Sequence, residues 1–308
     1  MIICVTPNPA IDRTLILPRL VTGGVHRATQ VIIAAGGKGM NVARVIRILG
    51  GEALCMGFAG GHSGRLLTDL AQAAGLNVSW TWTDSETRTC IILVSQDGDA
   101  TEIDEPGLPV SKSDWKRLQQ DVHKQIVSAN LVCVSGSLPP HSSADHLQGL
   151  LRMLVNTGKQ VWVDTSGTAL DTALTCPGVC IKVNGHEIGK SLGFEVKDVP
   201  SAKRALEMLN ERGLTNAAIT LGAAGALLAT TQGKWHAQAP PLRVVSSVGS
   251  GDSFLGGLVS ALDIGKDWPE ALRTALAAGT ANALSAGGGQ FSFEEFTHFR
   301  DQTQIQAW

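Results

Sequence analysis

Short, nearly unbroken apolar runs alternate along this chain with stretches where apolar residues recur every three or four positions. The runs at 2–6, 131–135, 160–164, 217–220 and 226–230 have the length of buried strands, and several are rich in Val and Ile. Helical spacing covers 41–49, 64–74, 113–127, 143–157, 201–212, 253–262 and 268–286. In the first of these, Val42, Val45, Ile46 and Leu49 fall on one face, Arg44 and Arg47 fall outside it, and Gly50 and Gly51 end it. Strands alternating with helices predict an α/β fold with a mainly parallel sheet covered by helices. Two segments break the rhythm. Residues 14–33 and 80–103 hold strands without intervening helices, at 14–17, 25–33, 89–94 and 100–103, with a hairpin signal from Gln96 to Asp99. These pieces predict a small separate antiparallel sheet over one end of the main layer. No linker, repeat or low-complexity stretch divides the chain. One domain over 1–308 is expected, with lid segments at about 12–34 and 80–105 inserted.

Composition narrows the function classes. With 308 residues and 44% apolar content the chain can bury a large core, and its formal charge of −2 argues against a general nucleic-acid or membrane-surface role. Any phosphate recognition must therefore be local. No apolar run has the length of a membrane span. The N-terminus lacks a basic region and reads as a buried strand rather than a leader, so a cytoplasmic location is expected. The six cysteines, most of them in apolar runs and none in a Cys-x-x-Cys pair, read as buried reduced thiols. Neither the eight histidines nor Cys176 and Cys180 form a metal pattern, and no nucleophile-elbow sequence supports Ser/His/Asp chemistry.

Four glycine- or acid-bearing stretches carry the candidate chemistry. The run Gly249, Ser250, Gly251, Asp252 opens a helical pattern. Amides at such a helix start lack intrahelical partners, and the helix dipole favours an anion, phosphate above all. A carboxylate there repels phosphate, which makes sense if Asp252 takes the proton of a hydroxyl that attacks it. The plainer reading is an acid that stabilises a helix N-terminus. Gly36, Gly37, Lys38 and Gly39 precede the helix at 41–49. They do not form a Walker A loop, because Met40 stands where Ser or Thr would bind Mg²⁺. Their glycine content exceeds the need of a plain strand-to-helix turn, which favours a bound ligand. Asn184 and Glu187 lie three residues apart and share a face if a helix begins near Asn184; they suit a water-coordinated Mg²⁺, while the plainer reading is a capping box. Thr220 to Gly225 offers either a nucleotide turn or a hairpin. Arg27, Lys38 and Arg88 are cations suited to a phosphate on an acceptor, and Asp12 suits sugar hydroxyls or a turn cap.

Taken together, these segments resemble the phosphofructokinase B (ribokinase-like) sugar kinases. The resemblance runs from Thr6–Asp12 to Gly287–Gly289, nearly the whole chain. Its specific signatures are the stretch from Gly36 through Asn41 to Arg44 and the stretch from Val248 to Asp252, where Ser250 replaces the usual Ala. Asn184 and Glu187 match the family's magnesium-associated motif. The stretches from Gly57 to Gly61 and from Ser135 to Pro139 match as well. The opening from Pro7 to Thr14, with Gly24 to Arg27, is most similar to the 1-phosphofructokinase and tagatose-6-phosphate kinase branch.

The resemblance implies a three-layer α/β/α sandwich with a mainly parallel central sheet and a β-sheet lid, and a homodimer through the lid. It implies ATP-dependent phosphorylation of a ketohexose phosphate: fructose 1-phosphate, fructose 6-phosphate or tagatose 6-phosphate. Asp252 would be the base, and the backbone of Gly249, Ser250, Gly251 and Asp252 the anion hole. Asp12, Gly36, Gly37 and Asn41 would hold the sugar. Arg27, Lys38, Arg88 and Ser137 would face the acceptor's phosphate. Lys182, Asn184, Thr220, Gly222, Gly225 and Asn282 would line the ATP site, with Asn184 and Glu187 positioning Mg²⁺ through water. A K⁺ ion beside the anion hole would involve 246–248 and 285–289, although the second stretch departs from the usual side chains. A kinase for an unphosphorylated sugar or nucleoside is the main rival, and comparing fructose with its phosphates discriminates. A non-catalytic sugar-binding protein on the same fold is another, which ATP-dependent turnover decides. A Rossmann dehydrogenase is disfavoured, since no Gly-x-Gly-x-x-Gly follows the first strand.

Overall fold

A computed structural model of the chain describes residues 1–95, 100–107, 109–285 and 287–308. The first strand shows how the layers arise. In β1 (Ile2–Thr6) every residue is buried, and successive side chains point to opposite faces. Ile3 and Val5 enter one hydrophobic core, Ile2 and Cys4 the other. A strand covered on both faces reads as a continuous apolar run, as parallel sheets require.

The 10-stranded main sheet contains β1, β4 (Ala53–Gly60), β5 (Asn77–Thr83), β8 (Leu131–Ser135), β9 (Gln160–Asp164), β10 (Cys180–Asn184), β11 (Ala217–Thr220), β12 (Ala226–Thr230), β13 (Gly233–Gln238) and β14 (Gln304–Ala307). The small sheet contains β2 (Ala10–Leu17), β3 (Gln30–Gly36), β6 (Arg88–Ser95) and β7 (Ala100–Asp104). The helices are α1 (Lys38–Ile48), α2 (Gly61–Ala73), α3 (Lys112–Gln125), α4 (Ala144–Val155), α5 (Gly167–Ala173), α6 (Gly185–Leu192), α7 (Val199–Glu211), α8 (Ser250–Asp263), α9 (Trp268–Asn282) and α10 (Phe293–Gln302). The main sheet runs in the order β14-β13-β12-β11-β10-β9-β8-β1-β4-β5. It is parallel from β5 to β11 and antiparallel from β11 to β14. Helices α3 to α7 pack one face, and α1, α2, α8 and α9 the other. The expected three-layer sandwich and lid are both present.

Several expectations are corrected. The small sheet is not wholly antiparallel: β2 pairs β6 in parallel, while β3 and β7 flank them antiparallel. The second lid segment begins later than 80, because residues 80–83 belong to β5, which pairs β4 in the main sheet. Strand β3 begins at Gln30 rather than 25, and α9 ends at Asn282. The turn signal from Gln96 to Asp99 lies outside the described residues. All six cysteines are buried and free, as their apolar settings predict. Among the described residues no helix is long and apolar enough to cross a membrane.

Candidate active site

The chemistry gathers at the C-terminal ends of the parallel strands, where open α/β sheets place their ligands. Two helix starts face each other there. Gly37 precedes α1 with φ 108°, and a Cβ at that position would press on Thr6 Cγ2 at 2.9 Å. Gly249 precedes α8 with φ 75°, and a Cβ there would fall inside the Gly288 Cα. Only glycine serves both the backbone angle and the close approach. No side chain caps α8, and the amides of Gly251 and Asp252 find no acceptor among the described residues. Lys182 Nζ sits against Gly251, 2.6 Å from where its Cβ would be. The result is a set of unpaired helix-start amides with an ammonium beside them.

Asp252, in the first turn of α8, is 6% exposed. Its Oδ2 accepts from Asn41 Nδ2 at 2.7 Å, which joins the two glycine motifs. Burial, with Asp164 nearby, pushes its carboxyl up to about 6, against the pull of Lys38, Lys182 and the Asn41 hydrogen bond.

Asp164, which sequence reasoning missed, organises the cations. It is fully buried at the end of β9 and accepts from Lys182 Nζ at 2.7 Å and Lys38 Nζ at 3.2 Å. Burial opposes its ionisation, yet the two lysines hold it below the usual carboxylate range. Asp164 in turn holds Lys38 firmly protonated, helped by Asp252 and Glu187 against the cost of burial. A usable signal was present: an acid closing the apolar run Val161–Val163 at a strand's C-terminal end.

Lys38 thus lies with Asp164, and 3.6 Å from Glu187 Oε1, rather than with the other proposed acceptor cations. Arg88 and Ser137 do converge, around Asn8. Asn8 Nδ2 donates to Ser137 Oγ at 3.2 Å, and both Asn8 Oδ1 and Arg88 Cδ crowd Gly107. Arg88 Nη1 donates to the Glu105 carbonyl, while its buried Nε has no partner among the described residues. Arg27 is not brought to this cluster. It is exposed beyond Gln30, which pairs Ile16 at the far end of the β2–β3 hairpin from Asp12. Asp12 packs its carboxylate against Gly36, and burial lifts it to about 7, with Glu102 and Asp104 adding to this and Arg44 and Arg88 opposing.

Asn184 and Glu187 form the capping box of α6. Glu187 N–H donates to Asn184 Oδ1 at 2.8 Å, and Asn184 N–H donates to Glu187 Oε2 at 3.0 Å. Glu187 Oε1 stays outside that box. No group of three or more His, Cys, Asp or Glu side chains able to hold a metal occurs among the described residues. These donors fit Mg²⁺ held through its own water and the phosphates of a nucleotide. Thr220 pairs with Asn184 across β10 and β11, and Gly222 and Gly225 lie in the turn of the β11–β12 hairpin, so the plainer reading of that stretch also holds. Asn282 is fully buried. Its amide nitrogen donates to the Val248 carbonyl at 2.8 Å, and its oxygen accepts from Gly289 N–H at 2.7 Å and Gln290 N–H at 3.2 Å. It pins the loop before α8 to the run after α9.

A strand-end site of unpaired helix-start amides, paired lysines and a buried carboxylate under a small sheet is the architecture of a sugar kinase. The family described as pfkB family carbohydrate kinase matches residues 5–295, and the chain belongs to that family. It is 31% identical over 273 residues to the 1-phosphofructokinase of Escherichia coli strain K12, covering 89% of this chain and 88% of the relative. Phosphofructokinase-2 from Escherichia coli in complex with potassium superposes with a TM-score of 0.90 at 27% identity, covering 98% of each chain. The same enzyme in complex with fructose-6-phosphate superposes with a TM-score of 0.88 at 26% identity, covering 97% of this chain and 98% of that one.

Proposed function

We propose that this chain transfers the γ-phosphoryl group of ATP to a hydroxyl of a ketohexose phosphate, with Asp252 as general base. The acceptor is fructose 1-phosphate, fructose 6-phosphate or tagatose 6-phosphate. The observation that carries the reading is Asp252 itself. One of its oxygens is hydrogen-bonded by Asn41, and the other has no partner among the described residues, beside unpaired amides and Lys182. Phosphoryl transfer asks mainly for positioning and for relief of charge. The amides of Gly251 and Asp252 receive the phosphoryl oxygens, and Lys38 and Lys182, held by Asp164, add fixed positive charge. Asp12, Gly36, Gly37 and Asn41 orient the sugar. The free oxygen of Asp252 takes the proton of the attacking hydroxyl. Thr220, Gly222 and Gly225 border the nucleotide beside Asn184. Mg²⁺, when bound through water near Asn184 and Glu187, supplies further neutralisation of the phosphates. K⁺ belongs beside the loop at 246–248 and residues 285 and 287–289, which Asn282 ties together; that phosphofructokinase-2 from Escherichia coli forms a potassium complex supports binding of the ion. The lid's edge strand β3 exposes Val31, Ile32 and Ile33, which supports a homodimer formed through the lid.

An ADP-release assay across fructose and the three phosphates tests the reading. Turnover of a phosphorylated ketohexose well above that of fructose is expected, and a preference for the free sugar overturns the acceptor class. Arg88→Ala is expected to raise KM for the phosphosugar about 10–100-fold, the worth of a charge-assisted hydrogen bond, with little change in KM for ATP. Equal effects on both substrates count against the Arg88 assignment. The pH profile has a definite sign. Asp252 must be ionised to accept a proton, so kcat/KM rises with pH through about 6 and falls tenfold per unit below it.

A further inference from the structure

The bond from Asn41 to Asp252 does not stand alone. Arg44, one turn along α1, donates from Nη1 to Asn41 Oδ1 at 2.6 Å. Its Nη2 donates to the Ala35 carbonyl in β3, which anchors the guanidinium. A guanidinium has donors only. It therefore dictates that Asn41 turns its oxygen toward Arg44 and its amide nitrogen toward Asp252. The flipped carboxamide would set donor against donor on one side and oxygen against carboxylate on the other. Gly288 closes a third side, for a Cβ there would lie 2.6 Å from Asn41 Nδ2 and 2.9 Å from its Cγ.

We propose that Arg44 is a positioning residue for Asp252, acting through Asn41. By setting which way the carboxamide faces, it keeps one Asp252 oxygen hydrogen-bonded and leaves the other for the acceptor's proton. The proposal rests on the reading of Asp252 as base. The charged groups around the relay allow a clean test. Asp252 is faced by Asp164 from β9, Lys38 from α1 and Lys182 from β10, none of which shares a hydrogen bond or ion pair with Arg44 among the described residues. Arg44 itself is faced by Asp12 from β2 and by Cys55 from β4, besides Asp252.

The experiment is kcat and the pH profile of kcat/KM for the wild type, Arg44→Lys, Arg44→Met and Asp252→Asn. A lysine keeps the positive charge near Asp12 and Asp252 but lacks the planar fork that bonds Asn41 and Ala35 from separate nitrogens. A positioning role predicts that Arg44→Lys moves the acid limb to higher pH, because a carboxylate that loses a fixed donor is harder to ionise. Arg44→Met is expected to move it further, by about one unit, with kcat about tenfold lower. A wild-type limb and kcat in Arg44→Lys overturn the proposal, since the guanidinium fork is then not needed to set Asn41; this holds even where Arg44→Met does not accumulate as folded protein. Loss of turnover in Asp252→Asn combined with that result sinks the positioning role alone. Retained turnover in Asp252→Asn removes the base and the positioning role with it.

Discussion

Replacing Asp252 with Asn lowers kcat by about 10²–10⁴-fold while leaving KM for both substrates nearly unchanged. The substitution is isosteric, and an Asn oxygen can still accept the hydrogen bond from Asn41. The amides of α8 stay where they are, so ground-state binding of phosphate is kept or improved by loss of a negative charge. What disappears is the group that accepts a proton as the acceptor oxygen attacks. A loss confined to kcat is the mark of an interaction made only in the transition state. Steady-state kinetics with an ADP-release readout checks this, and near-wild-type kcat eliminates Asp252 as the base.

Asp164→Ala is expected to damage stability and turnover together. The carboxylate is fully buried between Lys182 and Lys38, and the Lys182 side chain is only 4% exposed. Removing the shared anion leaves a buried ammonium without its hydrogen-bonded partner, and breaking such a pair costs about 3–5 kcal/mol. A denaturant titration should show that loss. Residual activity should show an acid limb displaced to lower pH. Asp164 contributes to holding the Asp252 proton on, and the freed lysines then favour its carboxylate more strongly. Unchanged stability with an unchanged limb would show that the lysines are not held by Asp164 in solution.

The parts of this molecule that were legible from the sequence are those written locally. Strands β1, β8, β9, β11 and β12 stand at their predicted bounds, because strands buried on both faces must be short and apolar throughout. The capping box of Asn184 and Glu187 and the glycine entries to α1 and α8 were readable because backbone angles and orphan amides constrain neighbouring residues only. Strand β4 carries Gly57 and Gly60 and no β-branched residue, and the four-residue edge strand β14 is half glutamine, so neither shows a strand's usual composition. Strand β5 resembled the lid strands that follow it, since nothing in Asn77–Thr83 tells which sheet it joins.

The site divides in the same way. Sequence alone determined two helix starts able to hold anions, one of them bearing an acid, together with the strand–helix alternation of a mainly parallel sheet. Only the tertiary structure decided that Asn41 reaches Asp252 across 211 positions and that Asp164 is the counter-ion of both lysines. It also decided that Arg27 stands apart at the hairpin's far end. The physical reason is one of range. Periodicity and turn sterics act over a few residues and leave their mark in composition. Pairing of buried charges depends on which strand ends the chain's crossovers bring side by side, and a single Asp at the end of an apolar run looks the same whether or not two lysines await it.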